Sequence, residues 1–197
     1  MRDNLARAER LRLVDTARRA GEDAPTLCEG WTTRDLVTHL VIRERHPAAA
    51  LGIFMPKFDA RREAKENDYA SMPFAQLLGL VAAPPKWTPG ALPGVESVMN
   101  TTEFLVHHED IRRAALEWIP RRLSQPEKAT AWTQARLALL AYAAKADGPV
   151  TISAPGFASR TAGRKRGKGS ETTITGEPLE LLLYLMGREE HALVDIS

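Results

Sequence analysis

The chain has 197 residues, of which 44% are hydrophobic and 26% charged, and a formal net charge of +2. This is the composition of a globular protein with room for a sizeable core, as one domain or a bundle with a small appendage. So slight a charge excess supplies no field to steer a polyanion, which argues against nucleic acid as partner, and no apolar run approaches the roughly 18 residues of a membrane span.

The N-terminal Met1-Arg-Asp-Asn-Leu-Ala-Arg7 lacks the apolar core of a secretory signal, so a cytoplasmic location is expected. A first helix is predicted from Asn4 to about Arg19, with Leu5, Ala8, Leu11 and Val14 as its apolar stripe. Gly21-Glu-Asp-Ala-Pro25 ends it. Cys28 is the one cysteine, which excludes an internal disulfide and a cysteine-based zinc cage, and its position in a turn is read as packing. Thr32 followed by Asp35 is a capping-box pattern that starts a second helix at Trp31–Thr33. That helix places His39 beside Leu36, Leu40 and Ile42, and Pro47 must kink or divide any continuation past His46 towards Leu51.

Asp59–Asp68 mixes charges of both signs without an apolar face and reads as a solvated helix or linker. A short helix through Phe74–Val81 follows, and then Pro84–Gly94, a stiff loop rich in breakers in which Trp87 could border a cavity.

Glu96–Arg113 is the stretch around which the rest is organised. At about 100° per residue, Glu96, Asn100, Glu103, His107 and Asp110 share a narrow sector flanked by Phe104 and Ile111 on one side and Met99 and Val106 on the other. Thr101, Thr102, His108, Glu109, Arg112 and Arg113 lie opposite and are assigned to solvent. Carboxylates pointing inward need protons, ion pairs or a metal. Glu103 and His107, four apart, offer two ligand atoms on successive turns of one face, with Asn100 and Asp110 as neighbours one turn away. The alternative is an ordinary helix whose Glu and His meet each other or solvent. Among the remaining histidines, His39 is the candidate third ligand. Two His and one Glu suit zinc with an open coordination position, although imidazole and carboxylate donors accept nickel and other divalent ions too.

The helix is expected to continue through Trp118 and stop at Pro120. A last bundle helix begins near Ser124-Gln-Pro-Glu127, with Trp132, Ala135, Leu139, Leu140 and Ala143 as its apolar face up to about Lys145. Four principal helices make an antiparallel four-helix bundle the natural fold, over residues 1–147. From residue 148 the period changes: Val150-Thr-Ile-Ser153 and Glu171-Thr-Thr-Ile-Thr175 alternate as strands do and are expected to pair as a hairpin. The basic stretch Phe157–Ser170 between them, including residues 160–168, has no aromatic after Phe157 for base stacking and is assigned to a mobile loop. Gly176-Glu-Pro178 caps a final helix, Leu179–Arg188. Residues 148–197 thus form a small α+β subdomain. There is no phosphate-binding glycine loop, no Gly-x-Ser-x-Gly elbow and no internal repeat.

Three blocks, Pro25–His39, Asn100-x-x-Glu103-x-x-x-His107-His-Glu-Asp-Ile-Arg-Arg113 and Gly176-Glu-Pro-x-Glu-Leu-Leu-Leu-x-x-x-Gly187-Arg188, occur in an order that resembles the mycothiol-dependent maleylpyruvate isomerase-like proteins of actinobacteria, in the DinB/YfiT-like superfamily of metal-binding bundles. The resemblance spans nearly the whole chain. It implies a mainly α fold, a metal held by His39, Glu103 and His107, and mycothiol as the thiol cosubstrate for a small electrophile. It also implies a carboxylate-binding role for Arg188. The C-terminal part is shorter than in the isomerases, so their substrate does not carry over. The classes left open are a thiol-using isomerase or transferase, a non-catalytic metal- or ligand-binding bundle, and a metal-assisted hydrolase. Oligomeric state is not legible.

Overall fold

The computed structural model describes residues 5–46, 59–83, 85, 95–164 and 169–197, with side chains of the helix that starts at Val95 described from Asn100 onward. The described chain is mainly helical with one small sheet, and it forms two compact units, Met1–Ile119 and Pro120–Ser197.

The first unit holds α1 (Leu5–Ala20), α2 (Thr33–Arg45), α3 (Asp59–Ala70), α4 (Phe74–Ala82) and α5 (Val95–Arg113). The start of α2 is fixed as the sequence predicts: the Asp35 carboxylate accepts from the Thr32 amide at 2.8 Å, and Thr32 Oγ1 accepts from the Asp35 amide at 3.3 Å. The helix ends at Arg45, with His46 as its cap. Residues 47–51, to which a continuation was assigned, lie outside the described residues. The Asp59–Asp68 stretch is a helix, α3.

The core of this unit joins Leu13, Val14 and Ala17 of α1 to Leu36, Val37, Leu40 and Val41 of α2. Leu77, Leu78 and Val81 of α4 and Phe104 and Ile111 of α5 complete it. The expected stripe on α1 needs correction. Leu11 is half exposed, and the buried face instead includes Glu9 and Arg10. These charges tolerate burial because they are paired: Arg10 donates to the Glu44 carboxylate through both terminal nitrogens and to the Val81 carbonyl at 2.8 Å, and its guanidinium lies 4.3 Å from the Phe104 ring centroid.

The same pairing overturns the solvent face assigned to α5. Thr101, His108, Glu109 and Arg113 are all buried. His108 Nδ1 lies 2.9 Å from Glu9 Oε2 and its Nε2 2.9 Å from Thr16 Oγ1, both on α1, while Arg113 Nε donates to Glu109 at 2.6 Å. A helix packed on more than one side satisfies its polar groups against its neighbours, and a helical wheel cannot distinguish that from exposure. α5 also stops earlier than expected, at Arg113. Its last-turn arginines hold the chain that leaves it, with Arg112 donating to the Ile119 carbonyl at 3.0 Å and Arg113 stacked 4.3 Å from the Trp118 ring centroid.

The second unit holds α6 (Gln125–Lys145), β1 (Val150–Ser153), β2 (Arg160–Ala162), β3 (Thr172–Gly176), α7 (Pro178–Leu185) and β4 (Val194–Ile196). Ser124 and Glu127 form the capping box at the start of α6, with the Ser124 amide donating to Glu127 Oε2 at 2.8 Å. Trp132, Ala135, Leu139 and Ala143 are buried on one face of α6, which packs against α7 and β1, whereas Leu140 is exposed.

The sheet order is β2-β1-β3-β4. The expected hairpin is incorrect: β1 and β3 are neighbours but run parallel, with Val150 opposite Thr172 and Ile152 opposite Ile174. The long intervening segment returns the chain to the same end of the sheet, and on the way it adds β2 antiparallel to β1. Part of the expected basic loop is therefore strand, and Lys165–Lys168 lie outside the described residues. The crossover closes through a backbone contact that only glycine permits, because a Cβ on Gly148 would meet the Ser170 carbonyl oxygen at 2.0 Å. The final helix ends at Leu185, and Gly187 adopts φ +83°, which terminates it before Arg188.

Candidate metal centre

Two helices of the first unit supply the central groups. His39 Nε2 from α2 lies 3.0 Å from Glu103 Oε1 on α5, and His107 Nε2, one turn further along α5, lies 3.4 Å from the same oxygen. The three ligand atoms all lie within 4.8 Å of one another, and the His39 and His107 ring centroids are 5.3 Å apart at an interplanar angle of 71°. Donors around a tetrahedral zinc bonded at about 2.0–2.1 Å stand roughly 3.3 Å apart, close to the two histidine–carboxylate distances here.

The surroundings hold these groups in place. His107 Nδ1 lies 2.8 Å from Asp110 Oδ2, and Asp110 is fully buried. Arg43 donates from Nη1 to Asn100 Oδ1 at 2.8 Å, and its Nε lies 3.3 Å from Glu103 Oε1. Asn100 thus reaches the cluster through Arg43. The Trp31 ring lies 5.2 Å from that of His39.

The electrostatics follow from the contacts. Burial pushes the Glu103 carboxyl up, but the hydrogen bonds from His107 and His39 and the charge of Arg43 outweigh it and hold the group far below the usual carboxylate range. Burial likewise opposes the His107 imidazolium, yet Asp110, Cys28 and Glu103 together raise its pKa well above the ordinary histidine value.

Two participants were not read from the sequence. Arg43 stands four residues after His39 on α2, the same spacing as Glu103 and His107, and that repeat was the available signal. Cys28 was assigned to packing. The fold corrects that: its Sγ lies 4.0 Å from His107 Nδ1 and 3.3 Å from Asp110 Oδ2. The contact arises because the Leu27 amide donates to the Asp110 carbonyl at 3.0 Å, which pins the turn to α5.

Other candidates lie elsewhere. His46 is paired with Tyr69 at 2.9 Å. Arg188 is in the second unit, where its Nη1 donates to the Met186 carbonyl at 2.7 Å. Trp87 lies outside the described residues, as does the Glu96 side chain.

A mainly helical chain with two imidazoles and a carboxylate gathered from two helices, and a small C-terminal sheet, is the class of protein that fold and site define. The chain belongs to the mycothiol maleylpyruvate isomerase family: the family's N-terminal domain model matches residues 4–138. Among solved structures it is similar to the mycothiol-dependent maleylpyruvate isomerase, at 16% identity and a TM-score of 0.63, over 98% of this chain and 90% of that one. It is similar also to a point mutant of that isomerase, at 15% identity and a TM-score of 0.58, over 97% of this chain and 90% of that one. At such identities the likeness establishes the fold. No curated protein matches. No helix among the described residues is long and apolar enough to cross a membrane.

Proposed function

We propose that this protein is a divalent-metal-dependent enzyme that uses mycothiol to transform a small electrophile, by thiol transfer or thiol-assisted isomerisation. The observation that carries this reading is the convergence of His39, Glu103 and His107 in a member of a mycothiol-linked family.

The donor set fits a metal. Two imidazole nitrogens and one carboxylate oxygen are the ligands of an open catalytic zinc site, and zinc is the cation proposed. A metal bound there would supply an open position at which a thiol is held as thiolate at neutral pH.

The chain's own residues do the rest. Asp110 holds the proton on His107 Nδ1, which leaves Nε2, the nitrogen that faces Glu103, as the one to give its lone pair to a metal. Arg43 bridges Glu103 and Asn100 and fixes the carboxylate against rotation. Asn100 is proposed to border the substrate cavity. Arg188 is proposed to take a substrate carboxylate.

The reading is tested by elemental analysis of the purified protein and its His39→Ala variant, followed by assay of thiol consumption with a panel of electrophiles. We expect His39→Ala to hold one equivalent of metal fewer than the wild type, and mycothiol consumption by the wild type with at least one electrophile. Metal without thiol binding or turnover would replace this reading with that of a non-catalytic metal-binding protein.

A further inference from the structure

His107 faces donors on both sides of its ring. Nε2 is directed at Glu103, while Nδ1 sits in a second cluster with Cys28 Sγ and Asp110 Oδ2. In that cluster the three atoms form a triangle with sides of 2.8, 3.3 and 4.0 Å. Zinc with one sulfur ligand at about 2.3 Å and nitrogen and oxygen ligands at about 2.0–2.1 Å separates its donors by roughly 3.3–3.6 Å. To reach that spacing the imidazole–carboxylate side, now spanned by a proton, must lengthen and the imidazole–sulfur side must shorten, each by about 0.5 Å.

We propose that Cys28, His107 and Asp110 form a second cation site for a thiophilic divalent ion, joined to the first cluster through the two nitrogens of His107. On binding, the Cys28 thiol proton and the His107 Nδ1 proton that Asp110 holds while this cluster is empty leave to solvent, and the ion takes a sulfur lone pair, a nitrogen lone pair and a carboxylate oxygen; with both clusters filled, His107 would be shared as the imidazolate. No electron is transferred. The thiolate makes the site selective for soft or borderline ions over magnesium or calcium.

The turn that carries Cys28 is built to hold the sulfur in place. Thr26 Oγ1 accepts from the Cys28 amide at 3.2 Å and lies 3.0 Å from the Trp31 carbonyl, the Trp31 amide donates to the Cys28 carbonyl at 2.9 Å, and Leu27 is tied to Asp110. Asp110 is fully buried, and Cys28 is partly exposed. The proposal shares His107 with the three-donor cluster but does not depend on the reaction proposed there.

The test uses chelator-stripped wild-type protein, Cys28→Ser and His39→Ala, each titrated with Cd²⁺ while bound metal and thiolate-to-cadmium charge-transfer absorption are read. The wild type should bind two equivalents and develop the absorption. Cys28→Ser should lose the absorption and one equivalent, and His39→Ala should keep the absorption. Cadmium should also protect Cys28 from iodoacetamide. A wild type that binds no cadmium, or binds it without the absorption or the protection, overturns the second site, as does loss of the absorption in a folded His39→Ala. His39→Ala that still binds two equivalents contradicts the three-donor cluster while leaving the Cys28 site standing.

Discussion

His107 Nδ1 lies 2.8 Å from Asp110 Oδ2, a carboxylate three residues further along the same helix and fully buried. The contact fixes both the tautomer and the plane of the ring. Outer-shell partners of this kind typically contribute 10–100-fold in metal affinity. Asp110→Asn should therefore weaken zinc binding by about that factor, with helical content unchanged, as read by competition with a chromophoric chelator. An unchanged affinity would remove Asp110 from the account.

The two adjacent histidines of α5 should behave oppositely. His39 and His107 face one carboxylate, whereas His108 is buried between Glu9 and Thr16. His39→Ala should lose the equivalent of metal held by the three-donor cluster with little loss of stability. His108→Ala should retain metal but unfold more readily, by about 1–3 kcal/mol, the cost of leaving buried polar groups short of a partner. Denaturant titration alongside elemental analysis separates the two. Loss of metal in a folded His108→Ala would contradict the assignment.

The pH dependence has a definite sign. In metal-free protein the raised His107 pKa contributes stability that is fully present below the ordinary value of 6.5 and is lost as pH rises through the folded value. The lowered Glu103 pKa contributes stability present above 4.5 and lost as pH falls through its folded value. Metal requires the neutral imidazole, so zinc affinity should rise across the same range above pH 6.5 in which the stripped protein loses stability. Thermal unfolding with and without zinc over a pH series checks this. A stripped protein whose unfolding midpoint does not change above pH 6.5 would show that the His107 interactions are weaker than the geometry implies.

The buried pair of Arg10 and Glu44 ties α1 to α2, and the same guanidinium rests on the Phe104 ring beside the metal-bearing face of α5. Glu44→Gln leaves a buried guanidinium uncompensated and should destabilise by about 3–5 kcal/mol. Phe104→Ala should cost a similar amount, about 3–5 kcal/mol, through cavity formation. Chemical denaturation measures both, and a loss below 1 kcal/mol for Glu44→Gln would deny the pair its anchoring role.

What the sequence revealed was local. The Thr32–Asp35 and Ser124–Glu127 caps, and the change of period near Gly148, depend on neighbours along the chain and are found where they were read. The inward carboxylate stripe of α5 was visible too, because Glu103, His107 and Asp110 share one helical face. What was hidden depends on partners distant in sequence. His108, Glu109 and Arg113 look like a solvent face until Glu9 and Thr16 of α1 are placed against His108. Cys28 looks isolated until Leu27 binds the Asp110 carbonyl. The strands Val150–Ser153 and Thr172–Gly176 were recognised from alternation, but period alone carries no direction, and the segment between them decided for a parallel pair.

The central claim is that metal held by His39, Glu103 and His107 recruits mycothiol. Calorimetric titration of mycothiol into zinc-loaded and chelator-stripped wild-type protein tests it most directly. The account predicts saturable binding of one thiol per chain in the zinc-loaded protein and none in the stripped protein. Equal binding in both, or no binding to the zinc-loaded protein, would contradict it.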